Sequence, residues 1–411
     1  MHTKVTVNTS KPDLPHSGFI HYLWAATLAR VATGGAAVAI VLLAHSFGAS
    51  GKLIGVYSAC LTVPHVLGPI YGKWLDKAKN PFSLIAAACV VFVVSFQLVI
   101  QSFHWQLVSI TIASLLICGV CTSLMMGGLS SQLRHLVSQD LSIRRRSQSW
   151  DIITYSSGLT LGPLLIATIS SAYSVPLSVG IVMFVPLLAG FIIWHMPTPH
   201  ISRAKANDIA GFRQVINIIY SSPALKRTIA MTSSAAFAVA ALPVIAIYLV
   251  DGWQQNQEKG AYLVTSYGIG YLIGSLILIA KPLKKEALRL LRMTSIALAV
   301  SLVIIYFSYS FSTGLVAYCL CGIVNAFFFA SSLAARTEYA PTHCAGQVYM
   351  WVAAAKITAT SIGAFCAGYL VDSATTLPLV ISSLVLGIAI TLCFWQWQHL
   401  PSSTLDKENS R

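Results

Sequence analysis

Twelve long apolar stretches follow one another along the chain, and each is long enough to cross a lipid bilayer. The hydrocarbon core of a bilayer is about 30 Å thick, and an α-helix crosses it in about 20 residues. Because lipid offers backbone groups no hydrogen-bond partner, such stretches satisfy their own N–H and C=O groups as helices. The stretches lie near 19–44, 53–75, 82–103, 106–133, 148–172, 175–196, 228–250, 260–280, 290–310, 313–335, 346–371 and 377–398. The sequence therefore predicts an all-α membrane protein with twelve spans.

The composition leaves no room for a separate soluble domain. Of the 411 residues, 56% are hydrophobic and only 9% are charged, whereas about a quarter of the residues in a soluble domain are charged. The chain contains no G-x-x-x-x-G-K-(S/T) loop that would bind a nucleotide. Its nine cysteines lie almost entirely inside apolar stretches rather than at polar turns. We therefore expect no enzyme, no cofactor and no metal site.

The positive charges lie almost entirely on one side of the predicted membrane. With the N-terminus inside, 22 of the 26 Lys and Arg residues fall in cytoplasmic segments, and only Lys52 and Lys259 fall in outer loops. Such an excess of positive charge marks the cytoplasmic loops of a membrane protein. The pattern predicts a multi-pass protein of the cytoplasmic (inner) membrane with both termini cytoplasmic. It also explains the net charge of +14 without a nucleic-acid partner.

The chain contains an internal duplication. Several residues recur at an offset of 201 or 202 positions, each at the same place within its half of the chain. The matching pairs are Ser131 with Ser332, Trp150 with Trp351, Gly162 with Gly363, Gly68 with Gly270, and Gly72 with Gly274. Two parallel six-helix repeats are typical of transporters that rock two halves about a substrate site near the membrane midplane.

The duplication and the polar segment between the halves predict five regions. These are a cytoplasmic tail (1–18), an N-terminal six-helix bundle (19–196), a cytoplasmic linker (197–227), a C-terminal six-helix bundle (228–398) and a second cytoplasmic tail (399–411). Within the linker, residues 209–220 favour either a short amphipathic helix on the membrane surface or an ordinary connecting segment.

Two motifs resemble those of the major facilitator superfamily. The loop after span two reads Gly72-Lys-Trp-Leu-Asp76-Lys77, similar to the signature G-x-x-x-D-(R/K) that this superfamily carries between helices two and three. Span five contains Gly158-Leu-Thr-Leu-Gly162-Pro163, which resembles the core of the superfamily's antiporter motif. The resemblance covers essentially the whole chain and implies the twelve-helix fold, alternating access and proton-coupled efflux.

The same residues are predicted to control the conformational change. Asp76 would accept hydrogen bonds from the N-terminal N–H groups of another helix, such as span eleven, and so hold the outward-open state. In the same loop motif, which ends at Lys77, Gly72 would permit close helix approach. In span five, Gly158, Gly162 and Pro163 would form a smooth, bent helix face on which the halves pivot. The alternatives are a solvated loop charge at Asp76 and ordinary tight packing at the glycines.

Two cations lie deep inside predicted spans, Arg30 in span one and Lys356 in span eleven. Charges at that depth are costly and usually functional. No acidic residue obviously pairs with them, because only Asp151 enters a helix, close to Arg144–Arg146. We therefore expect an anionic substrate whose carboxylates Arg30 and Lys356 bind. The alternative is that each cation is bonded within the bundle, or that Asp151 reaches Arg30.

Two residues are candidates for proton coupling, His65 in span two and Asp151 in span five. Histidine titrates in the physiological range, although a lone histidine in a helix is often a packing residue. Asp151 could instead form a structural pair with the nearby arginines. The polar residues expected to line the substrate site are Tyr155, Tyr267, Tyr271 and Asn325.

These features together predict a secondary transporter that works as a monomer in the lipid bilayer. The leading hypothesis is export by proton antiport of a small anionic or amphiphilic molecule, either a siderophore-like metabolite or a drug. The alternative is a proton-coupled importer of a siderophore or another organic anion. A membrane receptor or scaffold would keep the duplication but would not need charges at the midplane.

Overall fold

The structure is a computed structural model that describes residues 16–137, 141–196, 212–281, 283, 285–341 and 345–394. In these ranges it contains helices and no strands. The α-helices are α1 (His16–Ser46), α2 (Gly51–Thr62), α3 (Gly68–Lys77), α4 (Pro81–His104), α5 (Val108–Ser123), α6 (Leu129–Leu136), α7 (Leu141–Ala172), α8 (Val175–Trp194), α9 (Phe212–Ser221), α10 (Pro223–Ala240), α11 (Leu242–Gly252), α12 (Lys259–Ala280), α13 (Ala287–Tyr306), α14 (Phe311–Tyr339), α15 (Ala345–Val371) and α16 (Leu377–Phe394).

Among the described residues, eleven helical segments are long and apolar enough to cross a membrane, and the predicted second span corresponds to a shorter apolar segment, Gly51–Leu67. This span is interrupted because a 3-10 turn, Val63–Leu67, separates α2 from α3. Pro64 lies in that turn, and proline cannot donate the backbone hydrogen bond that an α-helix needs. The all-α architecture predicted from the sequence is confirmed.

Two other spans contain local irregularities. Span four consists of α5, a π-helical segment Leu124–Gly128, and α6. Span seven consists of α10 and α11, which meet at a turn at Ala241, just before Pro243. Such irregularities arise where glycine or proline weakens the backbone hydrogen-bond ladder.

Span ten is longer than the sequence indicates. The apolar stretch 313–335 predicts that span ten ends before Arg336, which would lie in the following cytoplasmic loop, but α14 continues to Tyr339 and Arg336 lies partly buried inside it. The helix ends where Ala340 takes an extended conformation, because the residue before Pro341 is disfavoured in the α region. Span nine is shorter than predicted, since α13 ends at Tyr306 and Ser310 caps the next helix.

Part of the linker forms the expected short helix. Helix α9 covers most of the segment predicted as amphipathic, and its Ile219 packs in a small apolar cluster with Leu225, Ala340, Val348 and Val352. The cluster attaches α9 to the C-terminal half. Most of the predicted tails and residues 197–211 of the linker lie outside the described residues, so the five-region division stays a prediction.

Helices α1–α8 form one half of the molecule and α10–α16 the other, and the halves meet mainly where α2 contacts α15 and where α7 contacts α12. Helix α1 lies at the centre of the first half and is the most buried of the spans. The positive-charge pattern assigns the loops after α1, α11 and α15 to the outside of the membrane, and the face that carries them is the predicted outer face.

Candidate functional site

Arg30 is completely buried in α1 and has an anionic partner. Its side chain is 1% exposed, and its Nη1 atom lies 2.8 Å from a carboxylate oxygen of Asp151 on α7. The expectation that Arg30 has no anionic partner within the protein is therefore wrong. The structure contains the alternative arrangement, in which Asp151 forms an ion pair with Arg30. A buried guanidinium needs such a partner because an unpaired charge in a low-dielectric interior is very costly.

The Asp151 carboxylate accepts hydrogen bonds from two hydroxyls besides its ion pair with Arg30. The Tyr22 hydroxyl donates to Oδ1 at 2.5 Å, and the Ser130 hydroxyl donates to Oδ2 at 3.0 Å. Together with Arg30, these donors come from α1 and α6 and surround an acid that α7 supplies. Both carboxylate oxygens of Asp151 therefore have a polar partner.

The Arg30 guanidinium makes further contacts that fix its position. It donates to the Ser130 hydroxyl at 2.6 Å, to the backbone carbonyl of Asp151 at 2.8 Å and to the Thr154 hydroxyl. Its central carbon lies 3.6 Å from the centre of the Tyr155 ring, a cation–π contact. The Arg30 Nε atom is buried and has no hydrogen-bond partner among the described residues.

Part of this cluster was visible in the sequence. Asp151, Thr154 and Tyr155 are spaced i, i+3 and i+4, and residues at that spacing share one face of a helix. Tyr155 was predicted to line the substrate site, whereas Thr154 was missed although the same spacing identifies it. Tyr22 and Ser130 carry no such signal, because only the packing of α1 and α6 against α7 brings them to Asp151.

The glycines of span five lie against α1 rather than at the contact between the halves. A side chain at Gly158 would collide with the backbone of Arg30, and one at Gly162 would collide with Val31 and Gly35. The expectation that these glycines form the pivot face is therefore wrong. Their lack of side chains lets α7 approach α1 closely, which is the packing alternative and places Asp151 within reach of Arg30.

The contact between α7 and the other half uses the neighbouring face of the helix. A side chain at Gly268 of α12 would collide with the backbone carbonyl of Leu159 and approach Thr160. Leu159 follows Gly158 by one residue, which turns it about 100° around the helix. Pro163 is buried inside α7, which continues through it.

Lys356 has a different environment from Arg30. Its side chain is partly exposed, and its Nζ atom lies 4.4 Å from the centre of the Phe329 ring on α14. Within the part of the chain that the structure describes, Lys356 forms no ion pair. The C-terminal half therefore presents a cation that no described carboxylate neutralises.

The other predicted lining residues of the C-terminal half form a separate group. The Asn325 amide donates to the Tyr267 hydroxyl at 2.6 Å, and Tyr267 and Tyr271 are buried where α12 packs on α14. Gly322 allows this approach, since a side chain there would collide with the Tyr267 carbonyl. The described contacts connect this group neither to Arg30 nor to Lys356.

His65 lies in the 3-10 turn of span two, away from the Arg30 cluster. Its Nε2 atom is 3.3 Å from the Thr122 hydroxyl on α5, and its Nδ1 atom is buried without a partner among the described residues. The structure therefore does not join the two coupling candidates in one site, since Asp151 contacts Arg30 and His65 contacts Thr122.

The predicted latch in the loop after span two cannot be compared with the structure. The backbone from Gly72 to Lys77 forms the end of α3, whereas the surroundings of Gly72 and the side chains of Asp76 and Lys77 lie outside the described part of the chain. Their role in gating stays a prediction.

A carboxylate that binds the N-terminus of another helix, as predicted for Asp76 at the cytoplasmic face, is found instead at the predicted outer face. The carboxylate of Asp372, just after α15, accepts hydrogen bonds from the backbone N–H groups of Gly51 at 2.8 Å and Lys52 at 3.2 Å. These are the first N–H groups of α2, which carry the positive end of the helix dipole. The sequence carries no signal for this contact between the halves, because only the packing of α2 against α15 brings Asp372 to Gly51.

Two further contacts join the halves, the first about 16 Å along α2 from its outer end and the second at the predicted outer face. The hydroxyls of Thr62 and Ser361 are 2.8 Å apart, and His45 Nδ1 lies 2.6 Å from Gln257 Oε1. His45 also packs edge-on against the Tyr248 ring, with the ring centres 5.1 Å apart. The described contacts therefore close the molecule at its predicted outer face.

Comparison with known proteins agrees with this architecture. The sequence model of the Major Facilitator Superfamily matches residues 22–356. A search of curated proteins gives no significant match. Among solved structures, a bacterial homologue of the human lysosomal transporter Spinster, inward-facing and unoccupied, superposes with a TM-score of 0.68 at 14% identity, covering 94% of this chain and 97% of that one. A mutant of the nucleoside transporter NupG superposes with a TM-score of 0.71 at 10% identity, covering 92% and 98%.

Proposed function

The chain belongs to the Major Facilitator Superfamily, and we propose that it moves a small organic anion across the membrane by alternating access between its two halves. The contacts at the predicted outer face support one end state of such a cycle, closed outside. The positive-charge pattern supports a protein of the inner membrane with cytoplasmic termini. We propose that it works as a monomer.

The single observation that carries the substrate class is Lys356. It lies about midway along α15, partly exposed and without an ion pair among the described residues. A carboxylate on the substrate would give this ammonium the partner that the described residues lack. Because Asp151 neutralises Arg30, the substrate would meet one net positive charge here rather than the two that the sequence suggests.

The pair of Arg30 and Asp151 is the proposed proton-coupling element. Protonation of Asp151 would remove its charge and release Arg30 for the substrate anion, as predicted for Arg30 from the sequence. A proton and an anion would then favour one another's binding, since each restores the charge balance that the other disturbs. The hydroxyls of Tyr22 and Ser130 would reorient as the carboxylate changes its protonation state. His65 is the second candidate, supported by its unpartnered Nδ1 atom.

Two directions of transport follow from different observations. Export by proton antiport is supported by the resemblance of Gly158–Pro163 to the antiporter motif, with a siderophore-like metabolite or a drug as cargo. Proton-coupled import of a siderophore or another organic anion is supported by the Arg30–Asp151 pair, because mutually favourable binding of proton and anion suits symport. The geometry supports the second direction better.

The test is binding and transport by the purified protein. Citrate and a citrate-based siderophore serve as anionic probes, uridine as a neutral one and tetraphenylphosphonium as a cationic one. A bound ligand raises the free energy of unfolding by RT ln(1 + [L]/Kd), and a higher melting temperature reports that gain. We expect an anion to stabilise the native protein and Lys356→Met to weaken that stabilisation strongly, while Lys356→Arg weakens it less.

The matched control is Lys285→Met, which removes an exposed cation outside the spans. In proteoliposomes, an imposed proton gradient should drive the stabilising anion in the direction of proton flow for symport and against it for antiport. Stabilisation by uridine or tetraphenylphosphonium alone, or by an anion equally well in Lys356→Met, would refute an anion site at Lys356.

A further inference from the structure

Two cations of the C-terminal half rest on aromatic rings of neighbouring helices in a reciprocal arrangement. Lys356 of α15 lies over Phe329 of α14, and Arg336 of α14 lies over Tyr349 of α15, with the guanidinium carbon 5.0 Å from the ring centre. Seven residues separate the cation from the ring on each helix, which is two turns or about 10 Å. The two antiparallel helices are therefore bridged twice, at two depths in the membrane.

The Arg336 contact lies nearer the predicted cytoplasmic face. Helix α14 ends only three residues after Arg336, and Tyr349 lies near the beginning of α15. Lys356 and Phe329 lie deeper in the bundle. A molecule that enters from the predicted cytoplasmic face along these two helices would therefore meet Arg336 before Lys356.

Arg336 is incompletely bonded. Among the described residues, the buried Nε atom of Arg336 has no hydrogen-bond partner. The Arg336 side chain also forms no ion pair with any of these residues. A buried donor without an acceptor costs free energy, more so when it carries charge. The contact with Tyr349 uses the electron-rich face of its ring, and a contact of that kind supplies no hydrogen-bond acceptor for the N–H groups of Arg336. The remaining donors of a guanidinium fork suit a carboxylate.

We propose that Arg336 and Tyr349 form a second anion-binding subsite, through which the carboxylate of the transported molecule passes between the predicted cytoplasmic face and Lys356. This proposal rests on the proposed function, because the subsite would bind the same anionic substrate that Lys356 binds. As long as the Arg30–Asp151 ion pair is intact, the N-terminal half offers no such step on the way to Lys356. An anion therefore moves along one half of the molecule, between two cation–ring contacts that lie two helical turns, or about 10 Å, apart along each helix.

The experiment measures anion binding in four proteins by calorimetry and thermal melting: the native chain, Arg336→Gln, Lys356→Met and the double variant. The probe is whichever of citrate and the citrate-based siderophore stabilises the native protein more. Lys356→Met should retain weaker binding that salt suppresses, and the double variant should lose it. Arg336→Gln should raise the KM for transport from the predicted cytoplasmic face about tenfold, as expected for the loss of a charge-assisted hydrogen bond.

The control is Arg289→Gln, which removes an exposed arginine of α13 and changes the net charge by the same amount. Arg336→Lys keeps the charge without the fork and should recover part of the KM, which tests the proposal even if Arg336→Gln is poorly folded. Equal binding in Lys356→Met and the double variant, with Arg336→Gln behaving like Arg289→Gln, would overturn the subsite and leave the proposed function intact. If neither anion stabilises the native protein, both proposals fail.

Discussion

At the scale of single residues, the two deep cations illustrate two ways of placing charge inside a membrane protein. Arg30 is surrounded by an acid, hydroxyls and an aromatic ring, so its charge is neutralised within the first half. Lys356 is partly exposed and rests on one ring. A charge that is fully paired serves structure or coupling, whereas a charge without a resident partner is available to a ligand.

Removal of one member of the Arg30–Asp151 pair should destabilise the protein strongly. We expect Arg30→Met or Asp151→Leu to cost about 3–5 kcal/mol, because each leaves an uncompensated buried charge. The double variant Arg30→Met/Asp151→Leu should recover much of the loss, since it leaves no charge behind. Thermal melting in detergent measures all three, and strictly additive losses would show that the pair is not coupled.

At the scale of helices, glycines set how closely the spans approach. The contact of α2 with α15 depends on Gly55 and Gly368, since a side chain at Gly55 would lie 2.6 Å from the carbonyl oxygen of Phe365. Gly51 lies beside Asp372 in the same contact. Because backbones meet directly here, any added side-chain atom separates the two halves at the predicted outer face.

Gly55→Ala should therefore weaken the outer contact by about 1–3 kcal/mol, the usual cost of forcing an extra methyl group into a packed interface. Spin labels at Leu107 and Asn256, exposed residues on the outer loops of the two halves, should report a longer distance in a cysteine-free background. The matched control is Gly387→Ala in α16, where an added side chain meets nothing within 4 Å. An unchanged distance in Gly55→Ala would contradict the assigned contact.

At the scale of the whole molecule, the halves are joined by α2 with α15, α7 with α12 and the contacts of His45. The positions of these contacts define a closed outer side. Alternating access requires that they separate once in every transport cycle. The outer contacts should therefore be necessary for transport and should also break and re-form during each transport cycle.

A disulfide across the halves tests this requirement. In Thr62→Cys/Ser361→Cys, built in a cysteine-free background, the native hydroxyl oxygens lie 2.8 Å apart, which brings the two side chains within range of a bond. Oxidation should stop transport of the stabilising anion, and a reducing agent should restore it. Each single cysteine variant should be insensitive to oxidation, and continued transport by the oxidised pair would show that this contact does not open.

Much of the architecture followed from local properties of the chain. The length and polarity of each apolar stretch are enough to predict a span, because lipid permits an apolar segment little besides a helix. The duplication and the loop motif indicated the superfamily, and the depth of Arg30 and Lys356 marked them as residues of interest. These predictions needed no knowledge of which helix touches which.

The partners of those residues followed only from the tertiary structure. The sequence offers Arg30 several acids and hydroxyls, and the close approach of α1 and α7 at Gly158 selects Asp151, 121 residues away. The same packing turned the expected pivot glycines toward their own half, and the length of α14 moved Arg336 from a loop into the bundle. Membrane burial alone requires that a deep charge find a partner. Which partner it finds depends on the faces that the helices present to one another, and only their packing determines those.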